Sequence, residues 1–261
     1  MRGWRTAPYT LLWGVARALE LSSRAAMYLA AGTLRLHDLR AAIGEAWANF
    51  GRTENAIRSG FMPWEEALYG RFLKPDDRIF LIGCGTGRDL IALLKRGYLV
   101  GGLDPAPGAV ALAREMLAKE GLSAELQVGP IEAAALPGSF DAFIFSWYTY
   151  GYIPQADHRV GVLRKLRAHL NPGGRILLSY LPAEAPVRTL PIRLTQLVAG
   201  LTRSDWRPEP GDVLGAATRE PGALHYEHQF TGGEIEGEAR AAGLSVVFHE
   251  CQDDGTAVLA S

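Results

Sequence analysis

Three glycines and one carboxylate carry the strongest chemical signal in this chain. In "RIFLIGCGTGRDL", residues 78 to 90, an apolar run ends on Gly83, Gly85 and Gly87. Glycine at such a point permits a tight turn and lets a ligand approach the backbone closely. The spacing is G-x-G-x-G. A dinucleotide-binding turn has G-x-G-x-x-G, and its third position is filled here by Arg88, whose bulk opposes close packing over a pyrophosphate. The G-K-[S/T] ending of a phosphate-binding P-loop is missing. Asp104 closes "YLVGGLD", roughly 20 residues after the turn, at the distance of a carboxylate that grips ribose. A carboxylate accepts several hydrogen bonds and can hold a cis-diol with both oxygens. Together the two signals point to an adenosine-type cofactor.

Two further clusters offer chemistry. "SWYTYGYIP" presents Trp147, Tyr148, Tyr150 and Tyr152. An aromatic wall of this kind can hold a flat or lipophilic molecule or face a cationic centre. If the segment stays extended, Trp147 and Tyr150 line one pocket. "HYEHQF" holds His225, Glu227 and His228. In a strand, Tyr226 and His228 share one face, and His225 and Glu227 the other. His228 or His225 could serve as a general base near neutral pH; the alternative is a histidine bonded within the structure. The H-x-x-H spacing is not that of a helical zinc site and no third ligand stands out, so no metal is expected.

These residues need strand ends to position them, and the chain supplies a strand–helix alternation. From residue 78, "RIFLIG", "YLVGGLD", "AELQVG", "FDAFIFSW" and "RILLSYL" read as strands. Helical patterns separate most of them, closed by Gly97, Gly121 and a Pro-Gly-Gly stop. This alternation specifies an α/β fold, a doubly wound and mostly parallel sheet with helices on both faces. "LHYEHQF", a helix, "LSVVFHE", a short Asp-Asp-Gly turn and "TAVLA" follow, and the short turn makes the last two strands antiparallel. Residues 1–75 read as an N-terminal helical lid or extension, and residues 76–261 as the main domain. A Pro- and Gly-rich insertion at about 182–224, with one helical piece at 192–202, caps the sheet edge. Near the N-terminus, Arg17, Glu20 and Arg24 form one helical stripe opposite Leu12, Val15, Leu19 and Ala26. This amphipathic helix is expected to dock on the body, act as a lid or touch a membrane surface, without spanning a membrane.

The successive segments "IGCGTGRDL", "GLDPAPGAVALARE", "GSFDAFIFSW" and "LRKLRAHLNPGGRILLSY" resemble the signatures of class I S-adenosylmethionine-dependent methyltransferases. "YEHQFTGGEIEGEARAAGLSVV" resembles the closing segment of the small-molecule branch. The resemblance covers about residues 78 to 181 and that tail. It implies a Rossmann-like sheet of seven strands and S-adenosyl-L-methionine as cofactor, with S-adenosyl-L-homocysteine as product. By the same resemblance, the backbone of Gly83, Cys84, Gly85 and Gly87 would pass under the amino-acid part of the cofactor. Asp104 would hold the ribose, Pro105 would pack near the adenine, and Ile131 or Glu132 would flank it. Ser146 and Trp147 would meet the methionine end and open the acceptor pocket; from the aromatic clusters themselves, Trp147, Tyr150, Tyr152 and Tyr226 are expected to bind the acceptor. Two departures stand out. The family's acid two residues before the first glycine is Leu81 here, and the acid after the third strand is displaced to Glu132. Glu65 in "MPWEE" is the candidate to compensate for the first.

Composition bounds the partners. The chain has 261 residues, 48% hydrophobic and 21% charged, with a formal net charge of -1. That balance suits a soluble globular protein and gives no electrostatic reason to expect nucleic acid. Cys84 and Cys251 make no disulfide framework and suit a cytoplasmic location. The expected function is methyl transfer to a small aromatic or lipophilic acceptor, at oxygen rather than nitrogen or carbon. The competing readings are a non-catalytic cofactor-binding or partner module on the same fold and, more remotely, an NAD-dependent oxidoreductase. The oligomeric state is not specified by these features.

Overall fold

The computed structural model describes residues 6–47, 51–183, 189–216, 224–251 and 254–261. Parts of the 182–224 segment and of the final Asp-Asp-Gly turn lie outside the described residues. Four helices come first: α1 (Ala7–Ala31), α2 (Leu36–Trp47), α3 (Glu54–Arg58) and α4 (Pro63–Phe72). The alternating region supplies β1 (Arg78–Ile82), α5 (Arg88–Lys95), β2 (Leu99–Asp104), α6 (Pro107–Lys119), β3 (Leu126–Val128) and β4 (Phe140–Phe145). A 3₁₀ turn (Thr149–Tyr152), α7 (Ala156–Ala168) and β5 (Leu170–Tyr180) follow. Beyond these come α8 (Thr189–Leu201), β6 (Asp212–Ala216), β7 (Leu224–His228), α9 (Gly232–Ala241), β8 (Ser245–Glu250) and β9 (Gly255–Ala260).

Seven strands form one sheet in the order β3-β2-β1-β4-β5-β9-β8. The pairings from β3 to β5 are parallel, and β9 runs antiparallel to both β5 and β8. This is the doubly wound sheet with a closing antiparallel pair that the sequence implies. β1 is central and apolar throughout because both of its faces are covered. Ile79 and Leu81 join one apolar layer with Leu90 and Ile91 of α5, while Phe80 and Ile82 join the other with Phe140 and Phe143. The Phe80 and Phe140 rings pack with centroids 5.0 Å apart. Strand order reverses between β1 and β4, so the crevice for a ligand opens beyond the carboxyl ends of β2, β1 and β4.

β7 does not join this sheet. It pairs antiparallel with β6, a strand that the sequence pattern did not mark inside the expected insertion. This ribbon buttresses α2: Leu39 and Ile43 of α2 share an apolar cluster with Trp206, Leu214 and Tyr226. The Leu36 amide donates to Asp205 Oδ1 at 2.8 Å, tying the start of α2 to the same segment. The N-terminal helix docks only by its last turns. Ala31 is buried and the Tyr28 carbonyl accepts from Thr195 of α8, whereas Leu11, Leu12, Val15 and Leu19 face solvent. No helix among the described residues is long and apolar enough to cross a membrane.

Candidate cofactor and acceptor cleft

The glycine turn is built by backbone geometry that disfavours other residues. Gly83, Gly85 and Gly87 all have positive φ, at 75°, 51° and 98°. The amides of Gly83 and Cys84 both donate to the Leu103 carbonyl, which folds the turn back over β2. Gly85 donates to Asp104 Oδ2 at 2.9 Å, and Ala106 donates to Asp104 Oδ1 at 2.8 Å. Asp104 is thus locked at the end of β2 with one accepting position spent on each oxygen, leaving others for a ligand. Burial raises its carboxyl above the usual range, against the pull of the two amides. A Cβ added at Gly85 would meet no atom within 4 Å, so the backbone there faces open space.

That space is a cleft of about 420 Å³. Gly83, Cys84, Gly85, Asp104 and Pro105 form its floor, and Ile131 and Glu132 form one end. Ser146, Trp147 and Tyr152 stand at the other side of the sheet reversal. The sequence reading names all of these. It does not name the wall supplied by α2, α3 and the start of α4, where Arg40, Ile43, Trp47, Ala56 and Met62 close over the strand ends. Arg40 Nη2 reaches Glu132 Oε1 at 2.9 Å, joining that wall to the segment after β3. None of the described residues of 182–224 lines the cleft. The insertion holds α2, and α2 covers the site.

Six sequence-based expectations are corrected. Gly87 does not line the cleft; it is the left-handed residue before α5. A Cβ there would come within 3.3 Å of Ala113, so glycine lets α5 and α6 approach. Tyr150 is buried in the core, because residues 149–152 coil into a 3₁₀ turn and do not stay extended. Its hydroxyl donates to Glu238 at 2.5 Å. Tyr226 and His228 do share a face of β7, but that face points inward. Tyr226 donates to Asp212 Oδ1 at 2.9 Å, and His228 Nδ1 lies 2.8 Å from the same oxygen. His225 lies behind the cleft wall, its ring centroid 6.2 Å from that of Trp47 and 6.4 Å from that of Tyr152. Glu65 is fully buried and does not line the cleft; it pairs with Arg88, which does.

Glu209, Asp212 and His228 bring possible metal-ligating atoms within 4.8 Å of one another. Arg159 Nη2 already sits 3.2 Å from Glu209 and 2.7 Å from Glu238, so the group is an ion-pair network with its own cation.

The sequence reading also missed a buried acid beside the glycine turn. Asp89, in the first turn of α5, is buried and lines the cleft. Its Oδ2 accepts from Ser146 Oγ at 2.5 Å, across the gap between α5 and the end of β4. A carboxylate in a first helical turn is favoured by the helix dipole. The signal was present as an acid in an otherwise buried stretch, "GRDLIALL". After Ser146, Trp147 and Tyr148 take positive φ of 43° and 60°, a strained pair for bulky residues. The strain turns Trp147 into the cleft, where the Arg88 guanidinium lies 5.0 Å from its ring centroid. Tyr148 is tied by its amide to Ser179 Oγ at 3.0 Å and by its hydroxyl to Asp254.

Comparison with known proteins matches residues 79–174 to a family described as a methyltransferase domain. This segment is a methyltransferase domain. The methyltransferase sheet extends beyond it, to β8 and β9. The chain superposes on a SAM-dependent methyltransferase from Methanosarcina mazei with a TM-score of 0.60 at 20% identity, covering 77% of this chain and 97% of that one. The shared fold is that of the class I methyltransferases. In sequence, the chain is 31% identical over 129 residues to a ubiquinone biosynthesis O-methyltransferase of Xanthomonas campestris pv. campestris, covering 49% of this chain and 50% of that protein. It is 35% identical over 97 residues to a protein named hemagglutinin 1 of Eikenella corrodens, covering 37% and 32%. The chain spans half or less of the length of these relatives.

Proposed function

We propose that this protein transfers a methyl group from S-adenosyl-L-methionine to a small aromatic or lipophilic acceptor, at oxygen. The observation that carries the reading is the cleft at the sheet reversal, with Asp104 at one end of the glycine turn and an aromatic wall at the other. Asp104 would accept from the ribose hydroxyls, Pro105 and Ile131 would hold the adenine, and Glu132 would border it. When bound, the cofactor supplies an electrophilic methyl carbon on a sulfonium. Trp47, Trp147, Tyr152, Ile43 and Met62 would orient an apolar acceptor and exclude water around it.

No histidine lines the cleft among the described residues. Its carboxylates are engaged, Glu132 by Arg40, Asp89 by Ser146 and Asp104 by two backbone amides, so in this reading alignment carries the rate and the acceptor loses its own proton. A phenol suits that requirement better than an aliphatic alcohol, whose hydroxyl stays protonated without a base. The test is a panel of phenols, alcohols, amines and thiols with methyl-labelled cofactor and mass-spectrometric detection. Phenols of lower pKa should be methylated fastest at fixed pH. Preferred transfer to amines would overturn the oxygen assignment. Tight binding of S-adenosylhomocysteine with no transfer to any acceptor would favour a non-catalytic module.

A further inference from the structure

Two helices turn an apolar side away from the protein. Tyr28 and Ala31 hold α1 to the body, and they continue the stripe of Arg17, Glu20 and Arg24 at spacings of three and four residues. Leu11, Leu12, Val15, Leu19 and Ala26 occupy the opposite side, over an arc of about 100°. A helix docked on its own domain normally puts that side inward. Here residues 7–26 are all exposed. A helix without packing is marginal in water, so α1 gains from something that covers it.

α8 repeats the arrangement. Ile192, Thr195 and Ala199 are its buried side, while Leu190, Leu194, Leu197 and Leu201 form a stripe on the other. Leu12, Leu19, Leu190, Leu197 and Leu201 are each 62% to 78% exposed. Thr195 Oγ1 donates to the Tyr28 carbonyl at 2.9 Å and Thr202 Oγ1 to the Gly32 carbonyl at 3.0 Å, so α8 grips the anchored end of α1. The two helices carry most of the exposed large apolar side chains among the described residues. Apolar exposure beyond a few hundred Å² marks an interaction surface.

The chemistry around these stripes selects the occupant. Glu20 is the sole acid in either helix, and Arg17 and Arg24 both bond it. Arg193 borders the leucine stripe, three residues after Leu190 and four before Leu197, and Arg203 follows the helix; both are exposed. The two helices are therefore basic in a chain whose net charge is -1. Tyr9 and Trp13 stack with centroids 6.2 Å apart, and on the helix they lie between the apolar arc and Arg17. Amphipathic aromatic rings at such a boundary suit the level of lipid headgroups. The apolar arc of α1 is also wider than the two-position seam of a coiled coil, which a second copy would use.

We infer that α1 and α8 bind the surface of a lipid bilayer bearing anionic headgroups. Leu12, Val15, Leu19 and the α8 leucines enter the acyl boundary, and Arg193 and Arg203 meet the headgroups. α2 follows α1 directly, and its Leu36 is tied to Asp205 just beyond α8. The cover of the cleft is thus fixed to the lipid-binding helices, and a lipophilic acceptor enters from the bilayer. That last step rests on the proposed acceptor class; the bilayer contact does not.

Flotation with vesicles of phosphatidylcholine and phosphatidylglycerol in equal parts, and of phosphatidylcholine alone, tests the contact. Wild-type protein should float with the anionic vesicles, less with the neutral ones, and less as salt rises. The pair Leu12→Glu and Leu19→Glu, and the pair Leu197→Glu and Leu201→Glu, should each weaken binding more than about tenfold. Arg193→Gln with Arg203→Gln should weaken anionic binding by about fivefold per arginine and flatten the salt dependence. All six side chains are exposed, so thermal midpoints should stay at the wild-type value and show that the variants are folded. Wild-type protein that does not float, or variants that float like wild type, would overturn the inference. So would a concentration-dependent dimer in sedimentation velocity that the leucine variants abolish, with no flotation, since the face would then join two copies. For the entry route, methylation of a long-chain alkyl phenol held in the vesicles should fall in the leucine variants, with a water-soluble phenol methylated at the wild-type rate. Equal loss on both phenols would overturn the route. Flotation without methylation of either phenol by wild-type protein would overturn the acceptor reading and leave the bilayer contact standing.

Discussion

Asp89 and Ser146 lie 57 residues apart in sequence and share a 2.5 Å hydrogen bond across the sheet reversal. The bond ties the first turn of α5 to the end of β4 and fixes both walls of the cleft at one point. Ser146→Ala would leave Asp89 Oδ2 buried without this donor. The expected cost is about 1–3 kcal/mol of stability, because the desolvation of a charged acceptor is no longer compensated. Urea denaturation of wild type and variant measures it. A change below about 0.5 kcal/mol would show that water or Arg88 replaces the hydroxyl.

Glu65 predicts a pH dependence with a definite sign. Burial and the neighbouring Asp89 charge push its carboxyl up from 4.5 to about 7, with Arg88 pulling the other way. The folded protein therefore holds a proton that the unfolded chain releases. Stability from this group is greatest below about pH 4.5 and is lost as pH rises to about 7, by up to about 3 kcal/mol. Asp89 is shifted in the same direction, chiefly by burial. Glu65→Gln should flatten the difference in stability between pH 5 and pH 7.5 relative to wild type. An unchanged pH slope would show that Glu65 is ionised throughout.

Asp104→Ala tests the ribose contact and the turn together. It removes the acceptor for the Gly85 and Ala106 amides as well as for ligand hydroxyls. Cofactor affinity should fall by at least about 1–2 kcal/mol. Calorimetry with 5′-methylthioadenosine isolates the nucleoside half. An unchanged dissociation constant for that ligand would remove Asp104 from the ribose site.

The sheet, its reversal point and the nucleoside end of the cleft were legible because each depends on local signals. Apolar runs mark the strands, and the glycines and Asp104 fall at the ends of β1 and β2. The acceptor end depended on contacts that no local pattern carries. Tyr150 was misplaced because a 3₁₀ turn replaced an extended segment, which aimed its ring into the core. His228 was misplaced because β7 pairs with β6, whose Asp212 draws the histidine inward. Asp89 was overlooked because an acid in a helix's first turn reads as ordinary capping, and only the fold brings Ser146 to it. The role of α2 as cover was invisible for the same reason: Trp47 and Ile43 reach the cleft only because the ribbon of β6 and β7 supports the helix from behind.

The contact between the glycine turn and the 3₁₀ turn is testable by two substitutions, at Gly83 and Thr149. The φ of Gly83 is 75°, and an added Cβ would lie 2.2 Å from Thr149 Cγ2. Gly83→Ala therefore carries two costs, a left-handed alanine of about 1–2 kcal/mol and a steric clash on top of it. Thr149 cannot swing away freely, because its Oγ1 donates to the Ile82 carbonyl at 3.1 Å and holds the chain that follows β4. Thr149→Ser removes the clashing methyl and keeps that hydroxyl. The double variant should recover the worst of the steric loss, with the 3.0 Å approach to the Cβ of residue 149 and the backbone part remaining, so the two substitutions are non-additive. Thermal unfolding of the four proteins in the cycle measures the coupling. Simple additivity would mean that the glycine turn and the 3₁₀ turn move independently, and that the close contact between them does not set the shape of the cleft.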